Sequence, residues 1–331
     1  MGVAEKPVYV YDLNSSYSAG WLEGPMPAGP WKATRKEVPN RIGVYWCPKI
    51  CQDRKSLPVV ATDDRWAHDG GGWVTSEELT ALREAGGDAK VERGWYSETT
   101  LPLCQELVRM LYPLKQAKRP GMKEALNAIH GKTVQGLVGS TYVHTSRGYV
   151  VDEDLHLPAW YQRPLLGMVL YGRARLREGR IGQKLIDAGH ELYAMRADSV
   201  HTSCPPRDFP GALGSACGEW RCEYERAEGV YAGVGLYALR DRDGFTLKVA
   251  STGISAGAVT FDMVERVAEG QEVTASHRGG LVGFRAQSTA WERKVAEQSI
   301  TLRVHTAGKL GKQGWLRYPE ATETSTGKAV H

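Results

Sequence analysis

An α+β fold is what this sequence predicts, on three observations. Short β-branched and aromatic runs recur, and the first, Val8 to Val10, leads into Asp12 at the end of a strand. Two helical segments, 99–118 and 121–134, are joined by a basic linker. A third, Pro164 to Gly189, precedes a strand–turn–strand centred on Asp198.

The remaining elements follow in order. Glycines and prolines between Gly20 and Pro39 predict a long irregular excursion, and Asp69 to Gly72 predicts a turn. Thr75 or Ser76 is then placed to cap a short helix whose Glu77 and Glu78 suit its positive end. Pro113 should bend or end the helix at 99–118. Pro120 stands just ahead of the next, where a missing N–H costs nothing. Residues 140–154 alternate around Ser146, Arg147 and Gly148 as a hairpin does. Strands at 229–240 and 244–251 flank the turn Asp241 to Gly244. The polar C-terminal stretch of about fifteen residues is expected to fray.

Composition narrows the class. The chain has 331 residues, 42% of them hydrophobic and 24% charged, which suits an ordinary globular protein with a sizeable core. No apolar run approaches the ~18 residues of a spanning helix, and the N-terminus lacks a secretory core, so a cytoplasmic protein with no membrane partner is expected. Six cysteines in such a chain read as reduced thiols. Neither His201 with Cys204, Cys217 and Cys222, nor Cys47 with Cys51, has a common zinc spacing. The net charge is +4, unevenly spread. Five Lys or Arg against one acid lie between Tyr112 and Lys132, and eight against two between His277 and Arg317. Two such zones suit a groove that holds a phosphate backbone from both sides, or two solvated faces.

Three segments carry a sharper reading. Tyr11-Asp12-Leu13-Asn14-Ser15-Ser16-Tyr17 resembles the D-x-x-S-L-Y-P segment of family B DNA polymerases. Residues 123–132, from Lys123 through Asn127 and His130 to Gly131 and Lys132, are similar to K-x-x-x-N-S-x-Y-G-K. Arg196-Ala197-Asp198-Ser199-Val200-His201 is similar to D-T-D-S-I-H. Their order and separations resemble the protein-primed group of phages and linear plasmids, and the likeness runs from Tyr9 to about Lys309. Lys248 to Gly253 and Val259-Thr260-Phe261 resemble that group's palm-to-thumb region, and Tyr237 matches the tyrosine of its K-x-Y element, whose lysine is absent here.

The resemblance implies a right-hand fold. Palm would comprise 1–97, with an insertion, and 138–253, with a hairpin insertion; 98–137 would form fingers and 254–331 a thumb and tail. It implies template-directed, metal-dependent transfer of dNTPs onto a DNA primer, without the 3′–5′ exonuclease, since only eleven residues precede Asp12. A priming or replication accessory protein is a further implied partner. Nucleotidyl transfer needs two divalent cations, Mg²⁺ or Mn²⁺, held by carboxylates brought together from distant segments. Asp12 and Asp198 are the candidates, with the Leu13 carbonyl as a backbone ligand. Lys123, Asn127 and His130, spaced i, i+4, i+7, share a helix face toward the nucleotide, or form a solvated one. Ser15, Ser16, Tyr17, Lys115 and Lys118 complete the implied nucleotide site, with Tyr17 beneath the sugar. Gly131, Lys132, Arg196, Ser199, Tyr237 and Lys248 are the implied DNA contacts. Arg196 stands where the family has an aspartate, and His130 where it has a tyrosine. A catalytically silent, nucleic-acid-binding relative and a primase-like synthase on the same palm are the alternatives.

Overall fold

The structure, a computed structural model, describes residues 2–52, 57–60, 69–134, 141–145, 148–152, 163–196, 198–233, 235–251, 256–287 and 290–302. It is a mixed α/β chain of antiparallel sheets with six α-helices among these residues. They are α1 (Ser16–Leu22), α2 (Ser76–Glu84), α3 (Gln105–Gln116), α4 (Met122–Val134), α5 (Pro164–Asp187) and α6 (Phe261–Ala268).

The central sheet has seven strands. Its main path runs Leu192–Arg196, Ser199–Thr202, Val8–Leu13, Trp220–Gly233, Leu236–Arg240, Thr246–Ala250, and Gly2–Val3 joins the long Trp220–Gly233 strand. Both faces of the strand are covered, which is why VYVYDL is buried almost throughout. Tyr9, Tyr11 and Leu13 pack with Ile181 and Leu185 of α5, Val200 and Trp220. Val8 and Val10 face the other way, onto Ala227, Tyr231, Tyr237 and Leu239. Asp12 continues this second row. Beyond it, Val230, Ala232, Leu236 and Ala238 pack against Phe261, Val264 and Val267 of α6. Each buried Val, Leu or Phe side chain contributes roughly 1.5–3 kcal/mol on leaving water.

A second, five-stranded sheet lies between α1 and α3 in sequence, built on Gly43–Cys51, Asp69–Thr75 and Arg93–Ser97. The expected turn at Asp69 to Gly72 is instead the start of a strand, with Gly70 opposite Ile50 and Gly72 opposite Cys47. The register shifts between those two pairs, and glycines tolerate that irregularity without a side chain to misplace. The expected irregular stretch after Gly20 is likewise corrected in part. α1 runs through Gly20 to Leu22, and Met26–Pro27 and Trp31–Thr34 are strands.

Other expectations hold closely. Thr75 caps α2, its Oγ1 accepting from the Glu78 N–H while a Glu78 carboxylate oxygen accepts from the Thr75 N–H. Gly172 of α5 passes so close that a Cβ there would stand 2.8 Å from Thr75 Cγ2. α4 and α5 appear where expected, as does the hairpin pairing Thr141–Thr145 with Gly148–Asp152; its Ser146 and Arg147 lie outside the described residues. α3 begins later than expected, after Thr100–Leu101 and Pro102, and runs on through Pro113 to Gln116. Ala117 donates to the Pro113 carbonyl, so only the bond at the proline's own nitrogen is lost. The expected strand at 229–240 is described as parts of two strands, Trp220–Gly233 and Leu236–Arg240. The C-terminal tail and most side chains of the second basic zone fall outside the described residues. No described helix is long and apolar enough to cross a membrane, and all six cysteines are free thiols.

Candidate active site at Asp12 and Asp198

Two strands and a turn bring the acidic residues together. Ser199–Thr202 runs antiparallel to Val8–Leu13, with Ser199 opposite Asp12, and the Leu13 N–H donates to the Asp198 carbonyl at 2.7 Å. Positions almost two hundred residues apart are thus locked by backbone bonds. Asp198, in the turn, is exposed, and Asp12 retains 27% of its side-chain exposure. Burial raises the Asp12 carboxyl above its ordinary value, and Asp198 and Glu223 raise it further, against Arg221 and Lys248.

The sequence reading missed two of those four. Arg221 lies opposite Asp12 on the Trp220–Gly233 strand, and its Nη2 stands 3.4 Å from Asp12 Oδ2. Glu223, two residues on, pairs with Lys248 at 3.2 Å. Alternation after Trp220 was the available signal for Arg221, and for Glu223 a register shift between Cys222 and Tyr224 obscures it. Lys248 also lies 5.7 Å from the Tyr224 ring centre. Burial lowers the Lys248 pKa, but Tyr237, Glu223 and Tyr224 outweigh it and the net shift is upward.

Above this strand pair lies an aromatic stack. Tyr17 stacks on His130 of α4 with centroids 4.3 Å apart, and meets Tyr171 of α5 edge-on at 5.2 Å. Burial lowers the His130 pKa, against a hydrogen bond to the Leu126 backbone that raises it. Burial raises that of Tyr17, and Tyr171, Asp198 and Glu178 add to the rise. Lys115 Nζ donates to Ser15 Oγ at 2.5 Å, bridging α3 to the chain just ahead of α1. Burial lowers the Lys115 pKa, and Lys123 lowers it further, while Asp12 pulls it up.

The expected residues divide accordingly. Asp12, Leu13, Ser15, Tyr17, Lys115, His130, Asp198, Ser199 and Lys248 gather around one site. Lys123 and Asn127 are exposed on the His130 side of α4, Gly131 follows them, and Lys118 is exposed beyond α3. Ser16 is 3% exposed, its carbonyl held by Arg177 at 3.0 Å. Tyr237 is 5% exposed, its ring 4.7 Å from that of His201. A sequence match cannot distinguish such a core tyrosine from a surface contact. The Arg196 backbone pairs with Ser199, but the side chains of Arg196 and Lys132 lie outside the described residues.

Glu178 of α5 was not foreseen at all. It is 6% exposed and its Oε1 has no hydrogen-bond partner. Burial first, and Asp198 second, push its carboxyl up to about 7.

Among the described residues no three Asp, Glu, His or Cys side chains form a ready-made metal cage. The crowding of Asp12 by Asp198 and Glu223 is nevertheless the surplus of negative charge that a divalent cation neutralises. Mg²⁺ commonly takes only one or two carboxylates, completing its shell with waters and substrate phosphates. The residues present fit that mode.

No known family profile matches the sequence, and no curated protein does. Solved structures do. A phi29 DNA polymerase complex with primer-template DNA and incoming nucleotide aligns with a TM-score of 0.68 at 15% identity, over 91% of this chain. The phi29 polymerase with single-stranded DNA gives 0.65 at 15%, and its post-translocation binary complex 0.62 at 14%. The chain spans about 59–60% of the length of those polymerase chains. At that identity the likeness establishes a polymerase-like fold and leaves the chemistry to the site.

Proposed function

We propose that the chain is a template-directed DNA polymerase that transfers dNTPs onto a primer 3′ end. The observation that carries this is the Leu13–Asp198 backbone bond, which fixes Asp12 and Asp198 side by side on a polymerase-like fold. Asp12, Asp198 and the Leu13 carbonyl would hold Mg²⁺ or Mn²⁺, which supplies charge neutralisation for the attacking 3′-oxygen and the departing pyrophosphate. The chain's own residues do the rest. Lys115, Lys118 and Lys123 receive the triphosphate, with Ser15 orienting Lys115. Tyr17 and His130 form the floor and wall on which sugar and base settle, and Tyr17 excludes a 2′-hydroxyl. Lys248, Ser199 and Arg196 lie toward the primer strand. In this reading the seven-stranded sheet is the palm, α3 and α4 the fingers, and α6 with Val273–Gln287 and Ala290–Leu302 the thumb. A priming or accessory protein is a proposed partner.

One observation favours a second reading. Arg221 already pairs with Asp12, as expected of a silent relative that binds nucleic acid without catalysis. Primer extension with Mg²⁺ or Mn²⁺ separates the two. Extension that depends on template and dNTP supports the polymerase, and DNA binding without extension under either metal supports the silent relative.

A further inference from the structure

Helix α5 turns a second face away from the carboxylates. Tyr171, Arg175 and Glu178, at i, i+4 and i+7, share one face, on which Tyr171 meets Tyr17 edge-on. Arg173, Arg177, Arg180 and Lys184, spaced four, three and four, form a row on the opposite side. That row lines an open groove of about 610 Å³, bounded on its other side by residues 210–212 and Trp220. Leu176 and Ile181 from α5 add an apolar floor.

Charge within it is unbalanced. Glu77 is engaged by Arg173 at 2.8 Å, and Glu23 by Arg177. Both acids lining the groove are therefore neutralised by the two more buried arginines. Arg180 and Lys184 are exposed, lie one helical turn apart, and have no hydrogen-bond or ion-pair partner among the described residues. Two uncompensated cations over an apolar floor match a chain of phosphates carrying sugars and bases, and do not match an apolar ligand. The groove is of the size that takes a small ligand, so a few nucleotides of a single strand fit and a duplex does not.

We propose that the α5 groove binds the sugar–phosphate backbone of single-stranded nucleic acid through Arg180 and Lys184, at a site separate from Asp12 and Asp198. The site needs no catalysis, so it stands or falls independently of the polymerase reading. It would guide a strand past the back of the sheet, away from the primer end.

The test is fluorescence anisotropy of labelled oligo(dT) over a KCl series, without dNTP or divalent cation. The full chain is compared with Arg180→Ala/Lys184→Ala, and Arg207→Ala serves as an exposed control. Alanine at two exposed helical positions preserves the fold, checked by an unchanged circular dichroism spectrum and melting point. The double variant should bind more weakly, and the slope of log K against log salt should shrink by about 1.4, at ~0.7 per lost single-strand phosphate contact. The control should match the wild type. An unchanged slope overturns the proposal. So does competition by inorganic tripolyphosphate as effective as by unlabelled oligo(dT), which would mean a small-phosphate site. Equal competition by polyglutamate overturns it too, in favour of an acidic protein partner.

Discussion

Helix α5 buries two charged side chains to the same depth and treats them in opposite ways. Arg173 is 5% exposed and Glu178 6%. The Arg173 guanidinium donates to both Glu77 carboxylate oxygens, at 2.8–3.1 Å, and to the carbonyls of Gly20 and Pro25 at 3.0 and 2.9 Å. It ties α5 to α2 and to the chain leaving α1. Glu178 leaves one oxygen unpartnered and is raised to about 7. A buried charge that holds structure is saturated with hydrogen bonds, whereas one left short lowers stability. The one left short stands beside Asp198.

The largest test of that contrast is Arg173→Met. Removing the guanidinium strands Glu77 and the carbonyls, and should lower the unfolding free energy by about 3–5 kcal/mol in urea titrations. A loss below about 1 kcal/mol would erase the contrast. Glu178 predicts a pH effect of comparable size in metal-free buffer. Its folded carboxyl keeps its proton after the unfolded chain, near 4.5, has lost it. Stability from this group is therefore full below about 4.5, falls as pH rises toward about 7, and is level above, a total of ~3 kcal/mol. Glu178→Gln should remove that slope and raise the melting point at pH 8. A lower melting point would mean that Glu178 is a structural partner like Arg173. Smaller again, Thr75→Ala should cost about 1 kcal/mol through the lost cap. Arg180→Ala, at an exposed position with no partner among the described residues, should fall within about 0.5 kcal/mol.

The same helix marks how far the sequence could be read. Its position and length were legible, because Pro164 opens it and an apolar spacing persists to Leu185. Which of its many charges is buried was not, because the run from Arg173 to Arg180 reads as solvated until α1 and α2 pack against it. The hairpin at Asp198 and the strand ending at Asp12 were legible from alternation and turn residues. Their union was legible only through family likeness, since nothing local in either segment specifies the other. Arg221 stands directly opposite Asp12 but belongs to no motif that marks it, and Glu223 escaped because a register shift between Cys222 and Tyr224 breaks the alternation on its side. Strand Asp69–Thr75 escaped because three glycines read as a turn until a partner strand supplies their hydrogen bonds.

The central claim is that Asp12 and Asp198 form one reactive centre, and it is tested most directly by charge removal that preserves shape. Asp12→Asn and Asp198→Asn should each abolish primer extension under Mg²⁺ and Mn²⁺. Affinity for primer–template should change little, because it rests on phosphate contacts elsewhere. Extension at the wild-type rate by either variant would contradict the account.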